Sequence, residues 1–163
     1  SPADIVVDAA GVVWFIEFRG NKIGRFADGR FEEFPVSEEN AGLTGLAVAP
    51  DGAVWFGMLR RSSLGRLRDR TIKEFELPRE GARPYSVAVD AQGNVWYTDI
   101  GGYVGMLKAS AAQKREESVE RKGERRKVKA ERNGRARHSF AFTFLFMFLT
   151  SRRRAKARFR QAC

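Results

Sequence analysis

Of the 20 carboxylates in this chain of 163 residues, two occupy matching places at the ends of similar runs. Glu17 closes the run GVVWFIE and Asp99 closes GNVWYTD, so each either does chemistry or merely ends a strand. A third copy of the phrase, GAVWFGM, carries Met58 at that place. The only histidine, His138, lies downstream of all three runs, and the only cysteine, Cys163, is the last residue. One cysteine rules out an intrachain disulfide and a cysteine-based metal site. The sequence shows no Ser/His/Asp set, no His pair at metal spacing and no phosphate-cradling loop. GGYVG at 101–105 is the turn into a strand, matching GNKIG at 20–24.

The segments that must position these acids repeat. Glycines at 11, 52 and 93 and tryptophans at 14, 55 and 96 both step by 41 residues. Each unit opens on a short apolar run (DIVVD, GLAVA, SVAVD) and turns at AAG, PDG or AQG, with glycine where a positive φ is cheapest. The Trp strand follows, then KIGRF, SLGRL or YVGML; units one and two add RFEEFPV and TIKEFEL after a further turn. Four strands of about five residues, rich in β-branched and aromatic side chains, make one unit. Runs such as VVWF are apolar on both faces and require cover on both sides. The reading is all-β: a partial β-propeller of two and a half to three four-stranded blades, at 2–41, 42–82 and 83–110.

The third unit departs from the pattern. Gly24 and Gly65 are 41 apart but Gly65 and Gly105 only 40, and AAQKRE at 111–116 falls where TIKEFE would make a fourth strand. Ala112 and Arg115 stand in place of Ile72 and Phe75, so the blade pattern ends near Lys108. An arc of this size cannot close a ring and leaves two blade faces uncovered. The expectation is a fragment of a longer propeller whose remaining blades lie outside this sequence.

Charge follows the same boundary. Residues 1–110 hold 13 Lys/Arg against 15 Asp/Glu, a net of −2, whereas 111–163 hold 17 against 5, a net of +12. The overall +10 therefore says nothing for a nucleic-acid partner of the blades. The basic tail, 111–163, is read as helical or disordered, with Glu117 and Arg121 as an i,i+4 pair. Its Phe-rich run from Phe140 is too short to span a membrane, which takes roughly 20 residues. The tail reads either as an extension that binds acidic surfaces through a basic, aromatic-anchored segment or as a translated out-of-frame stretch. The chain opens on Ser1-Pro2 inside a repeat, and neither a signal peptide nor a transmembrane helix is visible; cytoplasmic, periplasmic and secreted locations all stay open.

PDGAVWFGM, GNVWYTD and NKIGRF…EEFPV resemble the repeats of the virginiamycin B lyase (streptogramin lyase) family over residues 2 to 108. That resemblance implies a carbon–oxygen lyase that opens a cyclic ester antibiotic by elimination, with a histidine base and Mg²⁺ near the propeller axis. In the family pattern the base follows the proline that opens a blade, and the metal-side acid ends W-F-T-E. Here the equivalent positions hold Ala3, Thr44 (with no proline before it) and Tyr85, none a histidine, while Glu17 and Asp99 match the acid. Glu17 and Asp99 are thus the metal candidates by resemblance, and Thr44, Tyr85 and Arg19 the candidate substrate or rim contacts. The alternative for either acid is a strand cap, or a partner for a turn arginine such as Arg19.

Two functions from different classes follow. One is a lyase-like propeller segment, inactive as it stands. The other is a non-catalytic scaffold whose rim loops, SEENAGLTG (37–45) and LPREGARP (77–84), hold a peptide, carbohydrate or protein. Lactonase-type hydrolysis would need inward carboxylates and asparagines that these units lack.

Overall fold

The computed structural model describes residues 1–36, 39–115, 117–119 and 121–130. His138, the Phe-rich run and part of the 37–45 loop lie outside the described residues. The chain divides into two compact units, Ser1–Lys114 and Arg115–Cys163.

The first unit is three antiparallel sheets in chain order, a partial β-propeller. The first blade is β1 (Pro2–Val7), β2 (Val13–Glu17), β3 (Lys22–Ala27) and β4 (Arg30–Pro35). The second is β5 (Leu43–Val48), β6 (Val54–Met58), β7 (Ser63–Arg68) and β8 (Thr71–Glu76). The third has three strands only: β9 (Pro84–Val89), β10 (Val95–Asp99) and β11 (Tyr103–Leu107). In place of a fourth strand a helix begins, over residues 109–114 of this unit. Its first turn buries Ala112 in the core, so the small residue that breaks the strand pattern still fills space. Farther along, in the second unit, Arg121 meets Glu117 at 3.6 Å, the expected i,i+4 pair.

The tight turns come from residues that tolerate positive φ. Asp28-Gly29 joins β3 to β4 with φ of 51° and 72°, the geometry of a type I′ hairpin. Asp69-Arg70 repeats it at 47° and 62° with no glycine. Arg70 then reaches back to Glu32 of the first blade at 2.8 Å and lies over the Phe34 ring at 5.2 Å, so the turn also clasps two blades.

Inside each blade the third strand carries a glycine under an aromatic ring of the second. Gly24 faces Phe15, Gly65 faces Phe56 and Gly105 faces Tyr97 in register, and a Cβ on any of the three would fall inside the ring. The recurring glycine of IGR, LGR and VGM is therefore a packing requirement rather than a turn.

Between blades, alternation sorts the side chains into two layers. Val54, Phe56, Met58 and Leu67 of the second blade meet Ile16, Ile23 and Phe34 of the first. Trp55, Leu64 and Phe75 point the other way, onto Val87, Val95 and Tyr97 of the third. Each blade thus has a forward face bearing its Trp and a back face bearing its Phe or Tyr. All five residues of β6 are buried, as an apolar strand covered on both sides demands. Trp55 is 4% exposed, whereas Trp96, on a forward face with no blade beyond it, is 41% exposed.

A third-strand arginine lies over the Trp in the first two blades, Arg25 on Trp14 and Arg66 on Trp55, each 5.7 Å from the ring centroid. Met106 replaces it beside Trp96. The indole N–H groups of Trp14 and Trp96 donate to Asp8 and Asp90 at 3.1 and 3.0 Å. These two acids also accept backbone N–H groups of their own turns, from Ala10 and Val12 and from Gln92 and Asn94. Ala49 stands at the equivalent place in the second blade.

Gly65→Ala is expected to displace the Phe56 ring in the most buried blade and to lower stability by about 2 kcal/mol, an overpacking cost. The midpoint of urea unfolding measures it; an unchanged midpoint would refute the ring-on-glycine account.

Candidate functional site

The first strands β1, β5 and β9 run side by side along the inner edges of the three sheets. Each breaks register near its start: between Pro2 and Ile5, between Thr44 and Leu46, and opposite the Thr98/Asp99 step, where Tyr85 has no partner. A bulge re-aims side chains and bends the strand. Here three bulges at repeat-equivalent places turn one end of the inner strands into a mouth.

That mouth is a cavity of about 560 Å³ whose wall includes Ala3, Thr44 and Tyr85 together with the residues that follow them, Asp4, Gly45 and Ser86. Phe18 and Arg60 complete its rim, with the guanidinium 5.9 Å from the ring centroid. Polar groups tie the inner strands together. The Asp4 carboxylate accepts the Leu46 N–H at 2.7 Å, and the Thr44 hydroxyl donates to the Pro84 carbonyl at 2.8 Å. At Gly45, φ is 44° and a Cβ would stand 2.7 Å from the Ser86 Cα, so only glycine lets β5 and β9 approach this closely. Tyr85 is left exposed at the opening.

Of the residues singled out in the sequence, Thr44 and Tyr85 come together in this wall. Arg19 is exposed in the β2–β3 turn and is not part of it. Glu17 and Asp99 sit on the same rim, each at a strand end, paired in register with Pro2 and Pro84, but neither lines the cavity. Their surroundings differ because their back faces differ. Glu17 lies on the uncovered back face of the first blade, beside the ion pair of Lys22 with Glu33. Hydrogen bonding and charge from Glu33 hold the Lys22 ammonium above its usual value, and Glu17 adds to that.

Asp99 is covered by the preceding blade and is 5% exposed. Its Oδ2 accepts the Arg83 N–H at 2.7 Å and meets the Arg79 guanidinium at 2.8 Å, while Oδ1 accepts the Gly101 N–H at 2.7 Å. Arg79 in turn stacks 4.2 Å from the Tyr103 ring centroid. Burial opposes ionisation of Asp99, yet the Arg83 N–H, the Arg79 guanidinium and the Gly101 N–H outweigh it and hold the carboxyl below the ordinary range. The partner is the arginine of the 77–84 loop, not Arg19.

The Asp99 carboxylate is thus engaged by one guanidinium and two backbone N–H groups. Among the described residues no group of three or more His, Cys, Asp or Glu stands together to hold a metal ion. Likewise, no helix among them is long and apolar enough to cross a membrane.

Reading the sequence missed Asp4, Phe18, Arg60 and Ser86 of the mouth. For Asp4 a signal existed, since it follows Ala3 as Gly45 follows Thr44 and Ser86 follows Tyr85 at the 41-residue step.

With this geometry in place, the chain can be set beside known proteins. The model of the virginiamycin B lyase family matches residues 1–127. The selenomethionine-substituted virginiamycin B lyase from Staphylococcus aureus is similar at 24% identity, covering 66% of this chain and 41% of that one, with a TM-score of 0.57. A catalytically inactive histidine-to-alanine variant of the Staphylococcus aureus virginiamycin B lyase, with quinupristin, is similar at 30% identity, 66% and 38% coverage and a TM-score of 0.61. A calcium-binding protein, regucalcin from Agrobacterium tumefaciens, shares the fold at 18% identity, 68% and 42% coverage and a TM-score of 0.54. The chain spans about two fifths of the length of these structures. No curated protein matches it in sequence.

The depressed Asp99 carboxyl predicts an acid sensitivity with a definite sign. A folded-state value below the unfolded one contributes stability that is present above about pH 4 and is lost as pH falls through the folded value. Asp99→Asn is expected to lower the urea midpoint at about pH 6 and to shrink the drop between about pH 6 and pH 3. A drop as large as in the parent chain would remove Asp99 from that account.

Proposed function

The chain belongs to the virginiamycin B lyase family, and from that premise we propose that it forms propeller blades whose axial mouth binds a cyclic ester of the streptogramin type without opening it. The observation that carries this reading is the convergence of three bulged, repeat-equivalent segments on one cavity at the end of the inner strands. A cyclic depsipeptide presents apolar side chains and a ring of ester and amide carbonyls. Tyr85 and Phe18 offer aromatic surface for the first, and Arg60 offers N–H donors for the second.

Opening by elimination needs a base to take a proton from the carbon beside a carbonyl. At the three equivalent positions stand Ala3, with no titratable group, Thr44, whose hydroxyl is committed to the Pro84 carbonyl, and Tyr85, and none of them is a histidine. No step is available to these side chains, and neither Asp99 nor Glu17 reaches the cavity. The chain therefore supplies binding surface, and the base and any Mg²⁺ site belong to blades beyond those described. A role in resistance to such antibiotics would rest on those further blades.

Quinupristin is the probe. Titration calorimetry is expected to show binding that Tyr85→Ala weakens by about tenfold, equivalent to about 1.4 kcal/mol. Chromatography after incubation with Mg²⁺ is expected to return only the intact ring; the ring-opened product has the same mass as the substrate, because elimination adds no water. Absence of binding would overturn the ligand assignment, and a ring-opened product would overturn the assignment of inactivity.

A further inference from the structure

The second unit carries its charge on a helix that covers residues 115, 117–119 and 121–130, all of them exposed. Residues 121–130 hold six Lys/Arg against one Glu, a net of +5. Helical spacing gathers that charge on one side. Arg121, Arg125 and Lys129 follow one another at steps of four, and Ser118, Lys122 and Arg126 form the neighbouring row at the same steps. Arg115, three residues before Ser118, extends the second row. The one uncharged member, Ser118, turns its hydroxyl inward and donates to the Arg115 carbonyl at 2.8 Å. Among the described residues the acids keep off this stripe: Glu117 and Glu124, seven apart, share a row of their own. Glu117 meets Arg121 at 3.6 Å, but the two side chains are 64% and 76% exposed, and a pair of that kind yields readily to a phosphate.

We propose that this stripe binds the phosphate backbone of duplex nucleic acid. From Arg115 to Lys129 it runs about 21 Å and spans about 140° of the helix circumference, at about 1.5 Å and 100° per residue. A helix fits the major groove, about 12 Å wide, and a stripe of that breadth turns its edges to the phosphates of both strands. Six long cationic side chains reach those phosphates, while the Glu117 and Glu124 row faces away from them and fixes which side of the helix docks. An anionic membrane surface is the poorer match, because a helix lying in it needs an apolar face. Val119 and Val128 are the large apolar residues of this helix, and nine residues apart they stand on opposite sides. The stripe acts independently of what the axial mouth binds.

Fluorescence anisotropy on the full chain, with a labelled DNA duplex of about 20 base pairs and mixed sequence, tests this. Binding is expected at about 50 mM salt, with log K falling against log salt at a slope of about −5 or steeper, the release expected from about six neutralised phosphates. Exchanging two neighbours, Glu124→Arg with Arg125→Glu, keeps composition and net charge but sets an acid inside the stripe. That variant is expected to bind about tenfold more weakly at about 100 mM salt, with a slope shallower by about one. Ser118→Glu is expected to weaken binding in the same direction, and unchanged far-UV circular dichroism verifies the helix in both. No binding by the parent chain overturns the proposal, and so does either variant that matches the parent in affinity and slope. Tighter binding to vesicles of one part phosphatidylserine in about three of phosphatidylcholine, or stronger competition by polyglutamate than by unlabelled duplex at equal charge, overturns the choice of partner.

Discussion

Every sheet in this chain is apolar on both faces, and a sheet of that kind is stable only between two others. The rest of the structure follows from it. The second blade meets the condition and buries β6 from end to end. The outer blades meet it on one side each, which is why residues of one repeat position differ in exposure. Trp55 and Trp96 are the same residue at the same step of the repeat, yet only one is in contact with water to any extent. The same condition sets the environment of Asp99. Its strand end is covered because a blade precedes it, and the loop of that blade delivers Arg79 and the Arg83 N–H to its carboxylate.

The inner edges obey a second constraint, close approach of backbones around an axis. Gly45 permits it, and the hydrogen bonds from Leu46 N–H to Asp4 and from Thr44 to Pro84 hold it. Bulges at equivalent points free the side chains of that end from the sheet ladder. The mouth is therefore a product of repetition: three copies of one local irregularity, set side by side, make a concavity that no single blade contains. What is not repeated in its wall is Tyr85 beside Ser86, Phe18 with Arg60, and Asp4.

Much of the fold was legible in the sequence because its cause is local and recurs. The Gly–Trp phrase at a 41-residue step, the hairpin residues Asp28-Gly29, and Ala112 and Arg115 in place of Ile72 and Phe75 each act within a few residues of themselves. The all-β reading, the blades and the loss of the fourth strand all follow from such signals. The site was less legible. Glu17 and Asp99 match in sequence but not in surroundings, since burial of the second depends on a neighbouring blade and on Arg79, twenty residues earlier. Arg19 is nearer in sequence to an acid of the pattern but points to the wrong pairing. For the Asp8 and Asp90 carboxylates, which anchor the indoles of Trp14 and Trp96, the available sign was their spacing of six to a tryptophan.

The glycine beneath each aromatic ring separates two kinds of packing. Gly24 with Phe15, Gly65 with Phe56 and Gly105 with Tyr97 are contacts inside one blade, whereas Trp14 and Trp55 serve the joints between blades. A tandem duplication of one 41-residue unit thus copies a finished interior together with two faces already shaped for their neighbours. The unit of inheritance coincides with the unit of packing, so a gene can lengthen or shorten such an arc by whole blades without redesigning any of them. What each new copy remains free to vary is the bulged end of its inner strand, and with it the wall of the mouth.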